Sequence, residues 1–204
     1  MSRVRRSVVK IGDSLAIDFA NTMPSGEEAG ALRSWGDLVD FLELRGALSA
    51  GEAADLRAMG ERDARRCAEA LARGQGLRES IRAMLGAMAA GRSLLAHWIA
   101  DVNEALAWGA GAHRLVRHGR DWQLAFSSDR ADPLRALTPI ARSIADLVLR
   151  GRGTEIRRCA NPRCHLYFRD RSRTRRRRWC SMAVCGNRMK VAAHLRRHGR
   201  RGPR

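Results

Sequence analysis

Aromatic side chains make up only 5% of the 204 residues, with a single tyrosine. Their scarcity leaves Ala, Leu and Val to fill the core, a composition that leans towards helix. No apolar run approaches the roughly 18 residues a membrane span requires. The basic N-terminal stretch MSRVRRSVVKIGDS lacks the apolar segment of a secretory signal, so a cytoplasmic protein is expected. There is no phosphate-cradling glycine loop, no HExxH pair and no nucleophile–base pairing, and enzymatic activity is not expected. Cys67, in RRCAEAL at helical spacing, reads as a small core residue.

Acids are the most unevenly missing residues. Residues 150–204 hold 18 Arg and one Lys against two acids, whereas residues 1–149 hold 20 basic and 19 acidic residues. Nearly all of the net charge of +18 therefore sits in the C-terminal quarter. Such asymmetry points to a polyanionic partner.

Five cysteines without a secretory signal argue against a disulfide framework. Four of them stand in two Cys-x4-Cys pairs, Cys159 with Cys164 and Cys180 with Cys185, separated by fifteen residues. Two close thiol pairs can bend four sulfurs onto one ion, which is how structural zinc is held. Iron is the rival metal for a cysteine quartet, but the arginine-rich setting gives no redox indication, and one structural Zn2+ is expected. His194 and His198, four residues apart, would make a metal pair. With four cysteines available they read instead as solvent-face residues.

The chain before residue 150 reads as mainly helical with two β-hairpins. Leu15, Ile17 and Phe19 alternate with smaller or polar residues after a Gly12-Asp13 turn, which predicts a first hairpin over residues 7–22. MPSGEEAGALR, residues 23–33, reads as a loop. Ser34 with Asp37 and Ser49 with Glu52 have the spacing of helix-starting boxes. The first helix is expected to stop at Gly46 and the second near Arg73, where the GQG at 74–76 breaks it. Residues 77–90 and 94–108 keep helical spacing, and residues 113–126 return to alternation as a second hairpin. Asp132-Pro133 opens a last helix through Val148, and Gly151 and Gly153 read as a hinge. The expected domains are 1–150 and 151–204, with residues 1–149 folding by themselves. Asp18, Asn21 and Thr22 are candidate pocket residues for a small-molecule effector, with turn capping as their ordinary use.

In the cysteine segment, Leu166–Phe168 reads as a strand, Trp179 as the end of a returning strand, and the run RDRSRTRRRR as the arm between them. Cys185 opens a helix, GNRMKVAAHLRRH. Knuckle, hairpin and ligand-bearing helix make a treble-clef-like arrangement, whose small core needs metal to fold. At about 100° per residue, Cys185, Met189, Ala192, Ala193 and Leu195 share an apolar face of that helix. Asn187, Lys190, His194, Arg197 and His198 share the opposite one. Arg173, Arg175, Arg176, Arg177 and Arg178, with Asn187, Lys190, His194 and Arg197, are the candidate nucleic-acid contacts. Arg188 falls off the polar face and reads as a brace of the module as readily as a contact.

The string from Cys159 through CGNRMKVAAHLRRH resembles the CGNR zinc finger family, whose motif stands here as Cys185-Gly186-Asn187-Arg188. LAIDFANT, residues 15–22, resembles the opening of the ABATE domain, described as that of stress-induced transcription regulators. The resemblance implies an α+β protein: an ABATE-like regulatory domain followed by a zinc finger with four cysteine ligands. It implies a DNA-binding transcription regulator, nucleoid-associated if it binds DNA. One finger offers a small footprint, so a homodimer would help affinity, although the chain shows no heptad or symmetric motif. The alternatives are an RNA-binding or ribosome-associated zinc protein and, less favoured, a small-molecule-binding protein or enzyme in the N-terminal domain.

Overall fold

The structure, a computed structural model, describes residues 14–22, 32–109, 111–118, 121–128, 132–149 and 155–198. In chain order the elements are α1 (Leu15–Ala20), α2 (Trp35–Leu44), α3 (Ala50–Arg62), α4 (Ala64–Ala89), α5 (Ala96–Ala107), β1 (Gly111–His118) and β2 (Asp121–Ser128). A 3-10 turn (Pro133–Leu137) leads into α6 (Thr138–Leu149). The cysteine segment adds β3 (Ile156–Arg158), β4 (Tyr167–Arg169), a π-helical turn (Met182–Gly186) and α7 (Asn187–His198). No helix among the described residues is long and apolar enough to cross a membrane.

The first expected hairpin is corrected. Residues 15–20 are a helix, and the Gly12-Asp13 turn lies outside the described residues. Five of the six residues of α1 are buried, so no solvent face exists to display a helical period. Its start is satisfied from far away: the Ser143 hydroxyl of α6 accepts from the Ala16 N–H at 3.1 Å and lies 2.9 Å from the Ser14 hydroxyl. A cap supplied 127 residues downstream leaves no local trace in the chain.

Locally encoded starts form as expected. The Ser34 hydroxyl accepts from the Asp37 N–H while the Asp37 carboxylate accepts from the Ser34 N–H, and Ser49 and Glu52 repeat the exchange. Gly46 ends α2 with φ at 68°, the left-handed conformation that glycine adopts at least cost. The break after α3, however, falls at Asp63, whose side chain accepts from the Arg66 N–H at 3.1 Å. From there α4 runs 26 residues, straight through the GQG. Gly74 stays helical because Leu137 lies against it: a Cβ would stand 3.0 Å from a Leu137 methyl. Packing outweighs the roughly 1 kcal/mol propensity cost of a helical glycine.

The core is gathered around α1 and α4. Phe19 and Phe41 meet at 5.9 Å between ring centres, among Leu38, Leu42, Leu56, Ile81, Met84 and Ile140. The second expected hairpin forms as β1 and β2, antiparallel, with Leu115 opposite Leu124 and His113 opposite Phe126.

Packing continues across the charge boundary at residue 150. Ile156 and Tyr167 belong to the N-terminal core, β3 lies against α4, and β4 against α1. The Tyr167 hydroxyl reaches Gly86 so closely that a Cβ there would stand 3.1 Å from it. Gly151 and Gly153 lie outside the described residues. We expect Tyr167→Ala to destabilise the full chain by about 3–4 kcal/mol in urea unfolding. A fragment ending at residue 149 should unfold at a distinctly lower urea midpoint than the full chain. Equal midpoints would mean that the ribbon adds nothing to the N-terminal core.

Candidate metal centre and nucleic-acid interface

The strands flank the first cysteine pair and do not join the two pairs. β3 pairs antiparallel with β4, Ile156 opposite Arg169 and Arg158 opposite Tyr167, so Cys159–Cys164 is the loop of that ribbon. The Cys159 N–H donates to Leu166 O at 3.0 Å and the Cys164 N–H to Asn161 O at 2.8 Å, which closes the knuckle. The Asn161 carboxamide adds a second turn bond by accepting from the Arg163 N–H at 3.1 Å. The returning strand expected to end at Trp179 is replaced by irregular chain, tied to the knuckle by the Ala160 N–H donating to Arg178 O at 2.9 Å. Ser181 caps the π-helical turn by accepting from the Val184 N–H. This turn carries Cys185 inward before α7 begins.

The four sulfurs lie within 4.8 Å of one another, Cys164 to Cys180 at 3.7 Å and Cys180 to Cys185 at 3.6 Å. Zn–S bonds of about 2.3 Å in a tetrahedron place sulfurs roughly 3.8 Å apart, so the quartet fits one zinc ion. Three of the cysteines are buried and Cys164 is half-buried, as a closed structural site requires. Backbone and amide donors support the sulfurs: the Cys180 N–H reaches Cys159 Sγ at 3.5 Å, and Asn161 Nδ2 reaches Cys185 Sγ at 3.4 Å. Burial, and the neighbouring Cys159, push the Cys164 thiol up to about 11. Burial and the same crowding push Cys180 up as well. Burial works against ionisation of Cys159 too, but the N–H donors of Cys180 and Asn161 outweigh it and lower its pKa.

The segment's two acids are both spent inside. Asp170 is fully buried and organises the arginine-rich loop: it accepts from the Ser172 N–H and hydroxyl, at 3.0 and 2.6 Å, and from the Arg177 N–H at 2.9 Å. Arg157 Nε lies 3.1 Å away on the same carboxylate. Burial alone would raise its pKa, but these donors outweigh it and hold Asp170 below the usual carboxylate range. Glu155, also buried, pairs with Arg169 at 2.6 Å and Arg175 at 3.0 Å. The only sequence signal for Asp170 is the Asp-x-Ser of an Asx turn, inside a run that stands out for its charge.

The candidate arginines thus divide. Arg177 turns back: it donates to Trp179 O at 2.9 Å and to Cys180 O, and its guanidinium stands 4.7 Å over the Phe168 ring. Arg175 adopts φ of 48° and pairs with Glu155, while Arg178 stacks on Trp179 at 5.1 Å. Arg173 and Arg176 are exposed and make no ion pair among the described residues. Arg188 is exposed as well and makes no ion pair among the described residues, while Arg177 and Arg157 brace the loop. Asn187, Lys190 and His194 lie exposed on α7, and Arg197 lies in its last turn. Leu195, expected on the docked face, is 63% exposed, and Val191 beside it is 58% exposed. Gly186 of the CGNR string packs tightly: a Cβ would collide with the Met182 sulfur and stand 3.2 Å from the Trp179 ring.

The three pocket candidates have structural partners. Asp18 is buried and ion-paired with Arg45. Thr22 donates to Phe19 O at 2.7 Å and accepts from Arg78 at 3.3 Å. Asn21 reaches across to the finger: its Nδ2 donates to Tyr167 O at 2.8 Å and its Oδ1 accepts from the Tyr167 N–H at 2.9 Å. One side-chain amide thereby acts as a neighbouring strand for β4. Arg82 strengthens the junction, donating to Ala20 O and to His165 O at 3.2 and 2.7 Å, with its guanidinium 5.2 Å over the Tyr167 ring.

Comparison with known families finds the CGNR zinc finger over residues 155–198. A second family model, ABATE, described as “Putative stress-induced transcription regulator”, matches residues 13–151. No curated protein matches the chain.

Because Cys164 and Cys180 hold their protons in the metal-free site, zinc uptake must release them, and apparent zinc affinity should rise with pH between about 6 and 8. Titration in two buffers of different ionisation enthalpy measures the protons; uptake without release would contradict a four-thiolate site. Cys180→Ala should lose stoichiometric zinc, and Asn161→Ala should weaken it roughly 10–100-fold against a competing chelator.

Proposed function

Since the chain belongs to the ABATE family and carries a CGNR zinc finger, we propose that it is a zinc-dependent transcription regulator that binds duplex DNA through the finger. The observation that carries the reading is the sorting of charge. Both acids of the finger are buried and neutralised by arginines, so the surface that remains is cationic. Arg163, Arg173, Arg176, Arg188, Lys190 and Arg196 are all exposed and without an ion pair among the described residues. Arginine on a fixed loop suits phosphate, because its planar fork matches two oxygens and loses less freedom when held.

Helix α7 supports duplex over single-stranded binding. Its exposed side combines Asn187 and His194, which can meet base edges, with Val191 and Leu195, which suit thymine methyl groups. The finger's aromatic rings are already occupied: Tyr167 and Phe168 are buried and Trp179 packs on the metal cluster beneath Arg178. Few rings are left to stack unpaired bases. On this reading the protein is a binding protein and not an enzyme, and the ABATE domain holds the finger and modulates it.

The test is selection of bound sequences from random duplex DNA by the zinc-loaded chain, followed by salt titration of the recovered site. Arg173→Ala with Arg176→Ala should leave zinc and fold intact. It should reduce the slope of log affinity against log salt by up to about 1.8, that is about 0.9 for each phosphate that is no longer neutralised. Arg177→Ala should instead destabilise the finger. Preferential binding of structured RNA at the same salt concentration would replace this reading with an RNA-binding one.

A further inference from the structure

Arg78 is a buried arginine of the N-terminal domain that makes no ion pair among the described residues. It lies on α4 with 7% of its surface exposed. Its sole hydrogen bond among the described residues is from Nη1 to the Thr22 hydroxyl at 3.3 Å, and its Nε is enclosed with no partner there. No carboxylate among them pairs with it. Glu79, the next residue, is exposed and attracts the guanidinium without pairing with it, and Arg82 one turn on opposes that attraction with a second positive charge. Arg45, whose side chain is 10% exposed, is by contrast ion-paired with Asp18. A buried cation without an ion pair is costly, and chains keep few of them.

From this we propose that Arg78 and Thr22 form the floor of an oxyanion-binding site in the ABATE domain, taking a small carboxylate or phosphate-type anion. The bare Nε edge of a guanidinium is the side that grips two oxygens at once. The Thr22 hydroxyl holds the other arm of the fork and is itself anchored on Phe19 O. The site adjoins the junction with the finger. Residue 21 pairs with the backbone of β4, and Arg82 joins Ala20 O to His165 O. An anion bound at Arg78 would order the end of α1 and so favour the docked finger. This goes beyond the nucleic-acid reading and does not depend on it.

The test is thermal unfolding of the zinc-loaded full chain in acetate, phosphate or sulfate against chloride at constant ionic strength. Arg78→Met runs in parallel, because the basic finger binds anions too and that contribution persists in the variant. The wild type should show a saturable rise in Tm over the variant of roughly 5–10 °C at a hundredfold excess over Kd. Acetate acting alone would assign a carboxylate, and phosphate or sulfate acting alone a tetrahedral anion. Arg78→Lys keeps the charge but loses the fork and should bind at least tenfold more weakly. In chloride, Arg78→Met should be no less stable than the wild type. Equal shifts in wild type and Arg78→Met, or loss of stability of that variant in every buffer, would overturn the site.

Discussion

Four sulfur atoms confined within 4.8 Å of one another are tolerable as thiols, and as thiolates only with a cation among them. The finger depends on that constraint. Its own buried cluster is Cys159, Phe168, Cys180 and Cys185, with Cys164, Leu166 and Trp179 packed against it. Most of this apolar core is therefore the metal site itself. A segment so small buries too little surface to order an arginine-rich loop and a final helix. Helix α7 leaves Val191 and Leu195 exposed and starts directly from the turn that carries Cys185 and is capped by Ser181. The start of α7 is thus tied to the cysteine cluster through one turn.

The ribbon that carries the first two ligands also completes the other core. Tyr167 is bonded on its backbone to Asn21, covered on its ring by Arg82, and seated at its hydroxyl on Gly86, while one residue further on Phe168 faces the cysteine cluster. Adjacent residues of a strand point to opposite faces, so β4 is a partition with the regulatory core on one side and the metal on the other. The two blocks therefore share an element, and are not joined merely by a linker. Metal binding and the N-terminal fold must be thermodynamically linked, since whatever orders β4 from one side lowers the entropy cost of ordering it from the other.

What can be read from the chain follows from where each interaction lies along it. Ser34 with Asp37 and Ser49 with Glu52 are local exchanges, and both helix starts are legible. The cysteine spacing is nearly local, and so the four ligands are legible too. Residues 15–20 read as a strand because α1 is buried on nearly all sides and capped by Ser143, so neither its period nor its boundary is encoded nearby. The GQG reads as a break because nothing near it reveals Leu137, which comes from far along the chain to fill the groove that Gly74 leaves. Strand β4 is recognisable but its partner is not, since Leu166–Phe168 looks the same whichever way it pairs. Arg177 reads as a contact and braces the finger instead, while Arg188 stays exposed, for a similar reason. A helical projection places a residue relative to its own axis, whereas bracing depends on which carbonyls and carboxylates the fold brings near.

That dependence bears on how the charge works. Composition assigns the segment one undivided positive charge, but the fold separates arginines that close the structure from arginines that face out. Arg157, Arg169 and Arg177 are tied to Asp170, Glu155 or backbone carbonyls and complete a loop that could not otherwise fold back on the metal. Arg173 and Arg176 are then left exposed on that loop, within a segment whose like charges repel one another. The opposing terms are Asp170, buried and kept ionised by its ring of donors, and the metal. The finger thus carries repulsion that a polyanion would relieve, and on the nucleic-acid reading that relief would add to binding without requiring the loop to move. A flexible basic tail of equal charge would have to lose its conformational freedom on binding, whereas this loop has already lost it on folding around zinc.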